Sequence, residues 1–323
     1  MTIQLKNYKN EMFTIERVGI VEKIVFEMLK KTTKHTGEYG ELFNPYESAK
    51  DIPSGSIVLI CKRGTDNVGI LIAKTISINK HEFVSVQLID VDDSLDEKQG
   101  CILTMLAKLY EIYSNKKVEG IIADYVDNNS TEIVKALDAS RFKEISNLFA
   151  IVPSKLSDVK KDEDIEVVSF DEFNKKIYSG RLTDLLIDHD EHINKSFNDS
   201  VGKRIEDTKL KGDSDHERKM RFFIESLAKD DRWLVVLINQ KAMTLGYAKV
   251  KVLESAKVGF VDAYNDDKEK EKIFELSLKE LSKLSGKKLD FFVADINITY
   301  KEELKLYEKV FGKSIGSSYF LSI

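Results

Sequence analysis

The chain has 323 residues, of which 42% are hydrophobic and 33% charged, and its 50 basic and 55 acidic side chains leave a net charge of −5. This composition excludes a disordered or fibrous protein, and the mixing of charges excludes the clustered basic surface that nucleic-acid binding needs. Only two cysteines are present, Cys61 and Cys101, which indicates a reducing compartment. The N-terminus has no apolar leader and no apolar run reaches about 18 residues, so we expect a cytoplasmic protein that does not enter a membrane.

Hydrophobic periodicity in the first half predicts strands and helices that alternate in a mixed order. The predicted elements are a strand at 13–18, a helix at 21–34, strands at 56–61, 68–73 and 83–91, a helix at 101–114, a strand at 118–125, a helix that ends near 138 and a strand at 143–152. The second and third strands flank a turn-like RGTDN and predict an antiparallel hairpin. The strand, helix and strand from residue 83 onward are typical of a parallel pair.

The segment 154–164 is polar and charged, lacks apolar periodicity and follows Pro153, which is one of only three prolines. We therefore expect a linker there, between domains at 1–153 and 165–323, each close to the usual domain size. The second half predicts a strand at 166–170, a helix at 171–187, an irregular stretch through 197, a helix at 215–228, strands at 233–238, 245–252 and 258–264, a helix at 270–284, a strand at 289–296, a helix at 301–310 and a strand at 317–322.

One short motif occurs in both halves. Lys116–Asp124 reads KKVEGIIAD, and Lys287–Asp295, 171 residues later, reads KKLDFFVAD. His35 stands eight residues before Phe43, just as His189 stands eight residues before Phe197. Similar motifs that recur in the same order predict a duplicated domain. The alternative is that two unrelated segments share a common strand and helix pattern.

The order of elements resembles the GNAT family of acyl-CoA-dependent N-acyltransferases. Leu306–Lys313, LYEKVFGK, is similar to the family's Leu-Tyr-Glu-Lys-x-Gly-Phe, with Gly and Phe exchanged, and Leu-Gly-Tyr-Ala at 245–248 resembles the entry to a family strand. Tandem domains are known in this class, in mycothiol synthase and the Fem aminoacyl transferases. The resemblance implies an α/β (α+β) fold of two tandem GNAT-like domains, each with a mixed, mostly antiparallel twisted sheet flanked by helices.

In this family a loop with Gln or Arg, two residues, Gly, one residue and then Gly or Ala cradles the cofactor pyrophosphate at a helix N-terminus. The first half retains only Gly100 of these positions, since Glu97 and Ile102 occupy the others. The second half has no glycine in its loop, where a cradle would rely on lysines. The resemblance implies acyl-CoA contacts from Val91, Gln99, Gly100, Cys101, Ile102, Ala263, Lys270 and Lys272.

Two features of these loops favour a purely structural interpretation. Acidic residues crowd both loops, and like charges near a pyrophosphate weaken its binding. They are Asp92, Asp93, Asp96 and Glu97 in the first half and Asp266, Asp267, Glu269 and Glu271 in the second. Gln99 and Gly100 could also form an ordinary turn between a strand and a helix.

The resemblance also implies residues for catalysis and for the amine. Tyr307 stands where the family has the acid that protonates the leaving thiolate, although a core tyrosine would give the same pattern. Asp262, at a strand end, could deprotonate the amine or merely form local hydrogen bonds. His189 and Phe197, with His35 and Phe43 in the first half, are candidates for the amine pocket. His189 and His192 could share a helix face but lack a third ligand, so we expect no metal site.

The expected function is therefore acyl transfer, most simply of an acetyl group, from coenzyme A to a primary amine of a small molecule or peptide. One alternative is a catalytically silent pair of domains that binds a ligand in the same cleft. Another is a Fem-like aminoacyl transferase that uses charged tRNA, which the acidic balance and the lack of a basic stretch disfavour.

Overall fold

A computed structural model describes residues 3–31, 39–43, 46, 48–156, 165–169, 172–226, 233–239, 243–252, 257–264, 275, 276, 278, 279 and 290–323. They form two compact units. The first unit comprises residues 1–148 and 315–323, and the second comprises residues 149–314. The predictions for His35, Lys270 and Lys272 lie outside the described residues.

The first unit has a seven-stranded sheet whose helices are α1, Lys23–Lys31, α2, Lys98–Tyr113, and α3, Thr131–Ala139. Its strands are β1, Thr14–Val18, β2, Ile57–Arg63, β3, Asp66–Ile78, β4, His81–Val91, β5, Gly120–Asp127, β6, Lys143–Ile151, and β12, Gly316–Ser322. They lie in the order β1-β2-β3-β4-β5-β12-β6. Every neighbouring pair is antiparallel except β4 and β5, which are parallel.

Both faces of this sheet are covered, so its central strands are apolar almost throughout. In β2 the side chains alternate between the two faces: Val58 and Ile60 belong to the core beneath α1, whereas Leu59 and Cys61 belong to the core beneath α2. All four are fully buried. This is the two-residue period of a strand, with each face closed by helices.

Cys101 is part of the core beneath α2. A methyl group added at Gly69 of β3 would lie 2.7 Å from the Sγ of Cys101 and 3.1 Å from the Cε of Met105, so the bare glycine lets α2 approach the sheet. A hydrogen bond with Cys61, followed by burial, raises the pKa of the Cys101 thiol far above its ordinary value. The thiol therefore stays neutral, and a neutral thiol is a poor nucleophile.

The last strand, β12, belongs to the first unit, although the predicted second domain ran to residue 323. It lies between β5 and β6 and hydrogen-bonds to both. The hydroxyl of Ser317 donates to Glu144 at 2.7 Å, and the ring of Phe320 packs on Phe83 at 6.3 Å between centroids. Burial, together with the negative charges of Glu144 and Asp138, raises the pKa of Tyr319 to about 12.

The second unit has a sheet in the order β11-β10-β9-β8-β7. Its strands are β7, Ile165–Ser169, β8, Trp233–Asn239, β9, Met243–Val252, β10, Lys257–Tyr264, and β11, Phe291–Asn297, and its helices include α4, Glu172–Val201, α5, Ser214–Ser226, and α6, Lys301–Phe311. Again one pair, β10 with β11, is parallel and the other pairs are antiparallel. The predicted fold class, a mixed and mostly antiparallel sheet flanked by helices, is confirmed.

The predicted end of α4 near residue 187, with an irregular stretch after it, is wrong. The helix continues to Val201, and Gly202 follows it with a φ of +67°. Ser and Asn side chains in this segment favour turns when they bond to their own backbone. Here the Ser200 hydroxyl bonds both to the carbonyl oxygen of Ser196, one helical turn back, and to the side chain of Asn297, each at 2.9 Å, so it is satisfied without a break in the helix.

Across the described ranges, no helix combines the length and the apolar character that crossing a bilayer requires.

Candidate active site

The parallel strands β4 and β5 separate along their length. Residues 84–86 of β4 pair with residues 121–123 of β5, and the last pair is Val86 with Ala123. Beyond it β4 continues to Val91 and β5 to Asp127 without further pairing between them. The carboxyl ends of the two strands therefore diverge and leave an opening in the sheet.

A β-bulge lies in β4 at this point. Ile72 of β3 pairs with Leu88 and the next residue, Ala73, pairs with Val86, so Gln87 has no counterpart on β3. A bulge re-aims the residues beside it. The side chain of Gln87 accepts a hydrogen bond from the Tyr46 hydroxyl at 2.7 Å, which holds the loop before β2 against the bulge.

The opening is a groove of about 360 Å³, part of it open to solvent, which we call the β4–β5 groove. Its apolar wall belongs to the core beneath α2 and α3 and includes Ile89, Ala123, Val126 and Ile133. Its polar lining comprises Gln87, Asp124, Asp127 and Ser130. Two carboxylates and no basic side chain are among the described lining residues, so the groove favours a cation or a neutral amine over an anion.

Asp124 is held in the groove by a neighbouring strand. It is the first residue of β5 past the last pair with β4, and its Oδ2 accepts a hydrogen bond from the Ser85 hydroxyl at 2.5 Å. Ser85 is buried. This fixes the carboxylate of Asp124 where the two strands begin to separate.

Phe43, predicted for the amine pocket, lines the same groove and is buried. A methyl group at Gly316 of β12 would lie 2.7 Å from Cε1 of the Phe43 ring and 2.9 Å from the carbonyl oxygen of Val126. The ring therefore lies over a glycine on the last strand. Contact of Phe43 with a substrate stays a prediction.

The predicted cofactor loop has a structural role as well. Val91 donates its N–H to its neighbour Asp90 at 2.8 Å, and Cys101 donates its N–H to the carbonyl of Glu97 at 3.1 Å. A methyl group at Gly100 would lie 2.9 Å from the Nδ2 of Asn10, so this glycine packs against the N-terminal segment. The side chain of Ile102 is fully buried.

Gln99 and Gly100 nevertheless lie in the first turn of α2, where backbone N–H groups have no partner within the helix. Their contact with a pyrophosphate stays a prediction.

Two lysines neutralise part of the negative charge of the predicted cofactor loop. The Nζ of Lys31 lies 2.5 Å from the Oδ2 of Asp92, and the Nζ of Lys98 lies 2.9 Å from the Oδ1 of Asp93. The Lys31 hydrogen bond, the largest cause, lowers the pKa of Asp92 to about 2. Crowded carboxylates are therefore a weaker obstacle to a phosphate than the sequence indicates.

We expect Lys31→Met to raise the pKa of Asp92 from about 2, because the hydrogen bond that holds it down is lost. Since the pKa of Asp92 is lowered in the folded protein, the stability that it contributes is present above the ordinary value of 3.8 and is lost as the pH falls through about 2. A carboxyl NMR titration of Asp92 would measure the change. Lys30→Met, an exposed neighbour, is the control, and equal titrations in both variants would contradict the assignment.

The second unit contains the predicted acid. Tyr307 lies in α6 with 1% of its surface exposed. Its ring contacts that of Phe149, in the part of β6 that belongs to the second unit, and that of Phe311, with centroids 6.0 and 5.7 Å away. These are the contacts of a core aromatic residue. A role as an acid would require ligand binding to expose the hydroxyl, and it stays a prediction.

The parallel pair of the second unit also ends early, since residues 258–260 of β10 pair with residues 291–293 of β11. Asp262 and Ala263 lie on β10 just past the last pair. Asp90, near the corresponding end of β4, lies four residues past the last pair of its own strand, and the bulge at Gln87 accounts for one of those residues. The two aspartates therefore do not occupy equivalent positions.

His189 and Phe197 both lie on α4, so eight residues separate them by about 80° around the helix axis. His189 is buried and Phe197 is half-buried. The neighbouring His192 stacks on Tyr300 at 3.9 Å between ring centroids. Their contact with an amine stays a prediction.

Sequence reasoning missed the residues that shape the β4–β5 groove, namely Ser85, Gln87 and Asp124. Asp124 did carry a signal, because it closes the repeated motif KKVEGIIAD. The bulge carried none, since it depends on the register between β3 and β4.

The chain is similar to solved structures of one fold. A GCN5-related N-acetyltransferase from Sphaerobacter thermophilus matches with a TM-score of 0.55 and 9% identity, over 97% of this chain and 96% of that one. A tandem GNAT protein from the clavulanic acid biosynthesis pathway matches with a TM-score of 0.51 and 10% identity, over 96% and 98%.

A third match, with a TM-score of 0.50 and 10% identity, is a fungal multi-domain GH3 β-N-acetylglucosaminidase that contains a GCN5-related glucosamine N-acetyltransferase region. It covers 96% of this chain and 38% of that one. At such identities the likeness shows the fold and not the reaction.

No family model matches the sequence, and no curated protein matches it. Among the described residues, no group of three or more His, Cys, Asp or Glu side chains could hold a metal ion.

Proposed function

We propose that this chain, which has the fold of the GCN5-related N-acetyltransferases, transfers an acyl group from coenzyme A to a primary amine in the β4–β5 groove. The observation that carries the proposal is the separation of β4 and β5 beside a bulge, with Asp124 fixed at the point of separation. The reaction needs a place where the thioester and the amine meet beside backbone N–H groups and a carboxylate. This opening in the sheet meets that need.

The groove suits the two reactants on different sides. The apolar wall of Ile89, Ala123, Val126 and Ile133 suits the uncharged arm that carries a thioester. The first turn of α2, with Gln99 and Gly100, lies after β4 and could receive the phosphates at its N-terminus. Asp124 and the amide of Gln87 suit the amine.

The chemistry is one of positioning and proton removal. The amine nitrogen attacks the thioester carbonyl, a C–N bond forms and the C–S bond breaks. The nitrogen loses a proton, which Asp124 accepts directly or through a water, and the departing thiolate takes a proton from solvent water. Beyond Val86, the edge of β4 on the β5 side pairs with no strand among the described residues. Backbone N–H groups on that edge can stabilise negative charge on the carbonyl oxygen of the thioester.

We expect Asp124→Asn to lower kcat about 100-fold, because it removes a proton acceptor while keeping the shape of the side chain. The test is release of free thiol from acetyl-CoA in a panel of primary amines that includes small molecules and peptides with a free amine. Asp66→Asn, exposed at the start of β3 and outside the groove, is the matched control. Unchanged turnover in Asp124→Asn would contradict the assignment.

The alternative is that the second unit holds the reaction, with Tyr307 and Asp262 as the candidate catalytic residues. If Tyr307→Phe lowers turnover and Asp124→Asn does not, the second unit holds the reaction. If neither unit binds acetyl-CoA, the chain is a paired binding protein without transferase activity. The groove variants separate these outcomes because they leave the second unit untouched.

A further inference from the structure

A second irregularity lies in β5, directly opposite the last strand. Ser317 of β12 pairs with Val126, whereas Tyr319, two residues later, pairs with Ala123. Asp124 and Tyr125 therefore stand opposite the single residue Ser318. This arrangement is a β-bulge in β5, at the point where β5 leaves β4.

Tyr125 has an unusual backbone conformation at this bulge. Its φ is +49°, in the left-handed region that non-glycine residues rarely occupy in strands. Such a conformation costs free energy and persists only where neighbouring groups hold it. The side chain of Tyr125 is partly exposed and lines the β4–β5 groove beside Asp124.

The backbone N–H of Tyr125 has a hydrogen-bond partner on the last strand, β12. The N–H of Tyr125 donates to the Oγ of Ser318 at 3.3 Å, and Ser318 is 4% exposed. Asp124, the preceding residue, is bound on its other side by Ser85 of β4. The bulge residues thus lie between two serine hydroxyls that come from different strands.

The neighbouring Ser317 has a different role. Its hydroxyl bonds to Glu144 at 2.7 Å and lies 3.2 Å from the Oδ1 of Asn128, and both residues lie outside the groove lining. These contacts attach β12 to β6 and to the loop after β5. Of these two serines, it is Ser318 whose hydroxyl bonds to a residue that lines the groove, Tyr125.

We propose that Ser318 is a positioning residue for the β4–β5 groove: its hydroxyl holds Tyr125 in the left-handed conformation and so directs Asp124 toward the amine. The part of this inference that concerns turnover rests on the proposed function. The part that concerns the backbone of Tyr125 does not.

The experiment uses the full chain with labelled tyrosine and the substitutions Ser318→Ala, Ser318→Thr and Tyr125→Gly. In Ser318→Ala we expect the Cα and Cβ shifts of Tyr125 to lose their left-handed signature, and in Ser318→Thr, which keeps the hydroxyl, we expect them to stay. With an accepted amine, Ser318→Ala should lower kcat about tenfold, with the KM for acetyl-CoA unchanged, because a small misplacement of a reacting group is costly. Ser318→Thr should restore kcat.

Tyr125→Gly provides an independent check, because glycine adopts a positive φ at little cost. In that background, Ser318→Ala should change kcat by less than about twofold, since the bulge no longer needs to be held. Ser322→Ala, exposed on the same strand, is the control.

Tyr125 shifts that stay left-handed in Ser318→Ala would overturn the inference, whether or not turnover exists. An equal loss of kcat in Ser318→Ala and Ser318→Thr would also overturn it, because a hydroxyl would then be irrelevant. A failure of the proposed function is seen separately, as no turnover in the unsubstituted chain with any amine. In that case the shifts alone decide whether Ser318 holds the bulge.

Discussion

Removal of residues 315–323 is expected to unfold the first unit. Strand β12 is the shared neighbour of β5 and β6, and it buries Tyr319 and Phe320. Truncating one buried Phe costs about 3–5 kcal/mol, and loss of the whole strand also leaves two edges unpaired. Because domain stabilities are about 5–15 kcal/mol, we expect the truncated chain to lose most of the stability of the first unit.

Hydrogen exchange of β5 amides and near-ultraviolet circular dichroism would measure this loss. A chain that lacks only Ile323, which is half-buried at the end of the strand, is the control and should remain folded. Addition of a synthetic peptide of residues 314–323 in excess should restore protection of β5. If the truncated chain protects its β5 amides like the full chain, β12 is dispensable and the account of the first unit is wrong.

The substitution Gly120→Ala is expected to lower the free energy of unfolding by about 3 kcal/mol, at the upper end for overpacking. Gly120 pairs with Ser322 at the start of β5. A Cβ at this position would lie 2.4 Å from the carbonyl oxygen of Leu321 and 2.3 Å from the ring of Phe320. A ring can rotate away, but a backbone oxygen in a ladder can move only if the strand moves. The substitution therefore pushes β12 away from β5.

Urea unfolding would measure the effect, with Gly19→Ala as the matched control. At Gly19 the nearest atom to a new Cβ is the carboxylate of Glu22 at 3.1 Å, which belongs to a flexible side chain, so we expect a change within about 0.5 kcal/mol. Adding Phe320→Leu should not rescue Gly120→Ala, because Leu321 keeps its oxygen. Full rescue would show that the ring, and not the backbone, carries the clash.

The sequence predicted the elements of the fold well where periodicity is strong. The alternation in β2, the hairpin around Gly64 and the strand, helix and strand unit from β4 to β5 all follow from local patterns that persist in the structure. It failed at α4, where an irregular stretch was predicted after residue 187 and the helix instead continues through Ser196 and Ser200. Their partners on the β11 side, Asn297 and Thr299, are about one hundred residues away and leave no local trace.

The groove was harder to predict than the fold. The bulge at Gln87 and the left-handed residue Tyr125 both follow from which strands pair and in which register. The position of β12 beside β5 likewise depends on long-range pairing, because strands that are adjacent in a sheet need not be adjacent in sequence. In the sequence, Asp124 is noticeable only as the last residue of a repeated motif. Its position in the groove depends on the hydrogen bond from Ser85, which the sequence does not reveal.

The most direct test of the central claim, that the β4–β5 groove receives acetyl-CoA, is calorimetric titration of the full chain and of two variants. Ser130 lines the groove but makes no capping hydrogen bond, so Ser130→Trp fills the groove without removing a cap. Thr131→Trp, exposed at the next position, is the control. We expect one site in the full chain, retained in Thr131→Trp and weakened at least about tenfold in Ser130→Trp. Binding of equal affinity in all three chains would place the cofactor elsewhere and contradict the account.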